Sequence, residues 1–211
     1  MNFLAHLLTG DSGPSILVGS FAGDFCRGRI EGHHPDLRPG IRLHRMVDSF
    51  AEEHPSFSGV RARLRPALGL YAPVGADMLI DHVLAMKWNE WVGGETLEEF
   101  ANRAGAVLLD SDLLPEHGAR VARWMVEGRW LQSYATREGV RTALDRMSRR
   151  TRRGFRLAEA MQHFEQNRDV MSWNIMKFLN DLFTSPELLE AGMADYLDPA
   201  EGLAGAEPRE S

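Results

Sequence analysis

Apolar residues recur at three- and four-residue steps along most of this chain, while the alternation that marks strands is nearly absent. In "DMLIDHVLAMKWNEWV" (77–92), Leu79, Val83, Leu84 and Met86 fall on one helical stripe. The same period runs through 97–111, 117–135, 140–150 and 156–183. Thr96 followed by Glu98 and Glu99 reads as a helix start, because a threonine side chain and an acidic group can satisfy the first free N–H groups. Pro/Gly-rich punctuation at 10–15, 31–40, 71–77, 113–118 and 184–187 separates the runs. Helices with one apolar stripe can bury it only against each other. The pattern therefore predicts an all-α, single-domain helical bundle over residues 1–196, with 211 residues being ample for one core. The polar, Pro/Gly-rich stretch 197–211 is expected to be a disordered tail.

Several classes are set aside by what the chain lacks. The start "MNFLAHLLTGDSGP" has no basic leader region, and no apolar run approaches the ~20 residues a membrane-spanning helix needs. The single cysteine, Cys26, allows no internal disulfide and suits a reducing compartment, so a cytoplasmic protein is expected. A net charge of −6 weighs against nucleic-acid binding. Against that average, residues 141–156 hold seven arginines and one aspartate. Such a run is either a solvated helix face or a positive field that steers an acidic partner.

Histidine and aspartate gather in the first 82 residues. His6 lies among Phe3, Leu4 and Leu7, and Asp24 lies in "GSFAGDFCRG" with Arg27 close by. His44 and Asp48 are four apart, one helical turn, with Arg45 between them. Asp77 and Asp81 share a face, with His82 one residue further round. Ionisable groups beside apolar stripes cost several kcal/mol unless they are paired or bind a cation. Each cluster alone also reads as a core hydrogen bond or a surface ion pair worth a few tenths of a kcal/mol. Together they point to a site of imidazole and carboxylate ligands without thiolate, which suits Mn²⁺, Fe²⁺, Zn²⁺ or Mg²⁺.

The blocks "MNFLAHL", "GDFCRG", "GIRLHRMVD", "DHVLAMKW", "RWLQSY" and "MSRR" resemble, in order and spacing, the acyl carrier protein phosphodiesterases, from residue 1 to about 185. That family is similar to the HD-domain metal phosphohydrolases, so the resemblance implies an HD-like helical fold. It implies hydrolysis of the phosphodiester joining 4′-phosphopantetheine to a serine of holo-acyl carrier protein, with Mn²⁺ as metal. It marks Asp24, His44, Asp81 and His82 as site residues, and His6, Asp48 and Asp77 as further ligands or orienting groups. The dipeptide Asp81-His82 stands here in the reverse of the usual histidine–aspartate order. Arg27 and Arg45 are then candidates to clamp phosphoryl oxygens, and Arg149, Arg150, Arg152, Arg153 and Arg156 to dock the acidic carrier. Of the tryptophans, Trp88 is the candidate to touch the pantetheine arm, and the others read as packing. Two other readings compete: an HD-type hydrolase of nucleotides, and a non-catalytic helical module that binds an acidic protein.

Overall fold

A computed structural model describes residues 2–149 and 157–195. These form α1 (Phe3–Thr9), α2 (Pro14–Ala22), α3 (Arg38–Glu53), α4 (Pro55–Leu68), α5 (Ala72–Met86), α6 (Leu97–Asp110), α7 (Glu116–Glu127), α8 (Trp130–Ser133), α9 (Arg137–Ser148), α10 (Glu159–Gln166), α11 (Arg168–Phe183) and α12 (Pro186–Glu190), with short 3₁₀ turns between some of them. No strand occurs among the described residues, and none of their helices is long and apolar enough to cross a membrane. The all-α, single-domain expectation is met. The expected tail, 197–211, lies outside the described residues, as do Arg150, Arg152, Arg153 and Arg156.

The centre of the bundle is α5. It is apolar nearly all round, as a helix surrounded by others must be. Met78, Leu79, Ile80, Val83 and Leu84 are all fully buried. Around it pack α1, α4, α9, α10 and α11, while α2 bridges from α1 to α3. The α2–α3 crossing is close because both helices present glycine there. A Cβ on Gly19 would lie 2.5 Å from the Leu37 carbonyl oxygen, and one on Gly40 would lie 2.3 Å from that of Ile16. Both gaps are far inside van der Waals contact, so the glycines set how near α3 comes to α2.

Two of the long helical runs are broken. The stretch 117–135 divides at Gly128-Arg129, where Arg129 adopts a left-handed conformation (φ 49°, ψ 44°), and α8 sets off in a new direction. Gly128 ends α7 in a right-handed conformation (φ −84°, ψ 0°), and the left-handed position falls to Arg129 instead of a glycine. The stretch 156–183 divides at Asn167 (φ −124°, ψ 31°), which joins α10 to α11. The Thr96 start is as expected, with reciprocal bonds between Thr96 and Glu99. The apolar period does not mark α4, because arginines interrupt its stripe and Pro66 lies within it. Its start is marked by His54, whose Nδ1 accepts from the Ser56 N–H at 3.2 Å.

Candidate metal centre

Three elements bring imidazole and carboxylate groups to one point. His6 comes from α1, and His44 and Asp48 come from successive turns of α3. His44 Nε2 lies 3.2 Å from Asp48 Oδ2, and His6 Nε2 lies 3.1 Å from Asp48 Oδ1. The two rings stack with centroids 3.8 Å apart. Asp24, in the turn after α2, places Oδ1 4.0 Å from His44 Nε2 at the half-exposed edge of the group. One ligand atom each from His6, His44 and Asp48 lies within 4.8 Å of the others, a grouping that can hold a metal ion.

The hydrogen bonds behind these side chains aim them. His44 Nδ1 lies 2.8 Å from the Ser20 carbonyl, which can only accept, so Nδ1 carries a proton and Nε2 is the nitrogen turned towards Asp48. The ring fits because residue 23 has no side chain: a Cβ on Gly23 would lie 2.3 Å from His44 Cγ. Ser20 also ties α2 to α1, its hydroxyl donating to the His6 carbonyl at 2.8 Å.

His6 is the least satisfied member of the group. It is buried, and neither ring nitrogen has a hydrogen-bond partner among the described residues. The short approach of Nε2 to Asp48 is off the line that a ring N–H would need. An imidazole left so costs a few kcal/mol in folding unless a ligand takes its lone pair. Burial, and then the neighbouring His44, lower its pKa to about 3, so the ring is neutral and ready to coordinate near pH 7. Burial pushes the Asp48 carboxyl up, but contact with His44 and His6 outweighs it and holds the group well below the usual carboxylate range. Asp24 is raised by burial, with His44 opposing. Asp77, one turn before Asp81 on α5, is raised by burial and further by the charges of Asp48 and Asp24. It therefore belongs to the same electrostatic neighbourhood.

Asp81 and His82 are engaged elsewhere. The Asp81 carboxylate, fully buried, accepts from the backbone N–H of Leu4 at 2.8 Å and of Ala5 at 3.1 Å. It thus caps the first turn of α1, whose own cap residue, Asn2, makes no such bond. Burial raises its pKa to about 7 against those two hydrogen bonds. His82 Nδ1 donates to the Tyr134 carbonyl at 2.7 Å, and its ring meets Phe164 edge-on. The first fixes where α1 starts and so where His6 stands; the second joins α5 to the end of α8.

The arginines divide similarly. The Arg45 guanidinium donates to the Cys26 carbonyl at 3.1 Å, tying the Asp24 turn to α3. The Arg27 side chain is exposed. Arg149 is exposed at the end of α9. Trp88 is buried, and its indole N–H donates to the Glu95 carbonyl, so it lies in the core. A cavity of about 470 Å³ does open beside Asp24, walled by Phe3, Phe25, Trp124, Trp130, Tyr134 and Arg146 among others. Nothing in the sequence singled out Trp124 and Trp130, because the helix break at Gly128-Arg129 that turns them to one wall is a tertiary effect.

A family model described as acyl carrier protein phosphodiesterase matches residues 1–182. The chain belongs to that family. Relatives named acyl carrier protein phosphodiesterase include one from Pectobacterium atrosepticum, 30% identical over 89% of this chain and 100% of its own length. A second, from Yersinia pestis, is 32% identical over 79% of this chain and 88% of its own. A third, from Photorhabdus laumondii, is 30% identical over 85% of this chain and 93% of its own. No solved structure matches the chain significantly. As a member of the phosphodiesterase family, this chain carries its imidazole–carboxylate group within the matched span, on helices α1 and α3.

Proposed function

We propose that this protein hydrolyses the phosphodiester linking 4′-phosphopantetheine to the serine of holo-acyl carrier protein, with a divalent cation, Mn²⁺ by preference. Family membership supports the reaction. The observation that carries the metal dependence is the buried, unpartnered His6 ring beside His44 and Asp48. His6, His44 and Asp48 would hold the cation, with Asp24 completing or bridging the set from the site's edge. A cation there would acidify a water molecule and offset charge on the phosphodiester.

The chain's own groups do the rest. Ser20 keeps the His44 tautomer fixed, and the α1 cap by Asp81 keeps His6 in place. Asp77, one turn before Asp81 on α5, would orient the attacking water or a ligand imidazole. Water oxygen adds to phosphorus, the bond to the carrier's serine oxygen breaks, and that oxygen leaves with a proton as apo-carrier forms. Arg27, exposed beyond Asp24, is placed in this reading on the non-bridging oxygens, while Arg45 acts through the Asp24 turn. Arg149, with Arg150, Arg152 and Arg153, docks the carrier's acidic surface and sets its on-rate. A cytoplasmic setting fits the single, buried, unpaired Cys26.

The test is incubation of purified protein with holo-carrier and Mn²⁺, with and without chelator, reading intact carrier mass. Loss of the prosthetic arm only in the metal arm supports the reading. Unchanged carrier with release of phosphate from nucleotides instead would replace it with a nucleotide hydrolase.

A further inference from the structure

The cavity beside the metal centre is the feature that the chemistry above leaves unused. Its wall includes Asp24, whose carboxylate oxygen is 4.0 Å from His44 Nε2, so cavity and site are continuous. From Asp24 it runs between the turn after α2, helix α7 and the pair α8–α9, past Phe25, Val121, Trp124, Trp130 and Met147. At about 470 Å³ it is of a size that encloses a small organic chain. Six polar residues break the apolar lining: Asn2, Asp24, His117, Tyr134, Arg149 and Arg146, whose guanidinium carbon lies 5.9 Å over the Trp130 ring. Trp124 is 46% exposed, which is unusual for an indole with a core role, and it stands in the cavity wall.

We propose that this cavity binds the pantetheine arm of the substrate, with Trp124 and Trp130 as its principal walls. The inference rests on the phosphodiesterase reading and adds where the arm lies. A phosphodiester at the metal centre has two substituents that must go different ways. The carrier is a folded protein and cannot enter a cavity; it must stay outside. The arm is a narrow chain with a gem-dimethyl head, two amides and a terminal thiol. Apolar walls with a few spaced polar groups match that alternation, whereas the neighbouring surface hollow near Arg42, Arg45 and Glu187 is shallow. Arg149 also lines the cavity, so the basic end of α9 serves both the carrier outside and the arm inside.

The probe is pantetheine itself, which lacks the phosphodiester and needs no metal. Titrated into the protein, it should change tryptophan fluorescence saturably, because two of the five tryptophans line the cavity. Trp124→Ala, at a half-exposed position, should lose most of that change and raise KM for holo-carrier about tenfold, while Mn²⁺ binding by calorimetry stays as in the parent. Ala143→Trp, which fills the cavity from α9, should abolish pantetheine binding with Mn²⁺ binding retained. Protein that hydrolyses holo-carrier yet shows no saturable response to pantetheine overturns the cavity assignment and leaves the activity standing. A saturable response in protein that never releases the arm does the reverse: it sinks the phosphodiesterase reading and leaves the cavity as a pantetheine site. Trp124→Ala with unchanged KM and unchanged fluorescence response also refutes the assignment.

Discussion

Gly23→Ala adds one methyl group and should disable the metal centre without touching any ligand. The new Cβ would lie 2.3 Å from His44 Cγ, 2.5 Å from Cδ2 and 2.7 Å from Nδ1. Contacts of that kind need roughly 3.5 Å or more, so the ring must retreat by about 1 Å. It cannot do so and keep the 2.8 Å bond from Nδ1–H to the Ser20 carbonyl. Overpacking costs about 1–3 kcal/mol and the lost buried bond about 1 kcal/mol, so the variant should lose about 2–4 kcal/mol of stability. Removing a bond that orients a metal-binding imidazole costs about 10–100-fold in metal affinity. Calorimetric Mn²⁺ titration and thermal unfolding read the two effects separately. If Gly23→Ala folds and binds Mn²⁺ with parental affinity, the ring's position does not depend on its seat against α2, and the account of this site is mistaken.

Other expectations follow from the same contacts. Asp81→Ala leaves the Leu4 and Ala5 N–H groups buried without acceptors, so denaturant unfolding should show a loss of about 2–5 kcal/mol, with Mn²⁺ affinity falling as His6 shifts. Burial raises Asp81 from 3.8 to about 7, so the folded state holds its proton longer than the unfolded chain. Its contribution is thus full below about pH 4 and lost as pH rises through about 7. His6, lowered from 6.5 to about 3, slopes the opposite way, so the sign is read in the difference between parent and Asp81→Asn. That difference should shrink by a few kcal/mol between pH 4 and 7, and a flat difference would remove Asp81 as a titrating group. Arg149→Glu should lower kcat/KM for holo-carrier several-fold at low salt with little change in kcat, the gap closing as ionic strength rises; stopped-flow or initial rates across salt check it. Gly40→Ala meets backbone 2.3 Å away and should cost more than about 2 kcal/mol in thermal unfolding.

How much of this was legible beforehand depends on what each residue touches. The helical class and the Thr96 start were readable because period and cap chemistry are local. His44 and Asp48 were readable as a pair because one turn of α3 fixes their separation, and His6 because a polar ring among leucines needs a reason. The work of Asp81 was hidden: a carboxylate amid apolar residues fits a ligand or a cap equally, and the capped helix lies 76 residues away. The left-handed turn at Arg129, a strained conformation for arginine, was also invisible to periodicity, and with it the cavity wall that α7 and α8 share. The closeness of Gly23 to His44 is set by the α2–α3 crossing, which only the Gly19 and Gly40 contacts reveal.

The most direct measurement is anomalous diffraction at the manganese edge from crystals of the protein grown with Mn²⁺. A single strong peak bounded by His6, His44 Nε2 and Asp48, with Asp24 at its open side, is the result expected. A peak beside Asp81 and His82, or none within reach of the His6 ring, would contradict the account at its root.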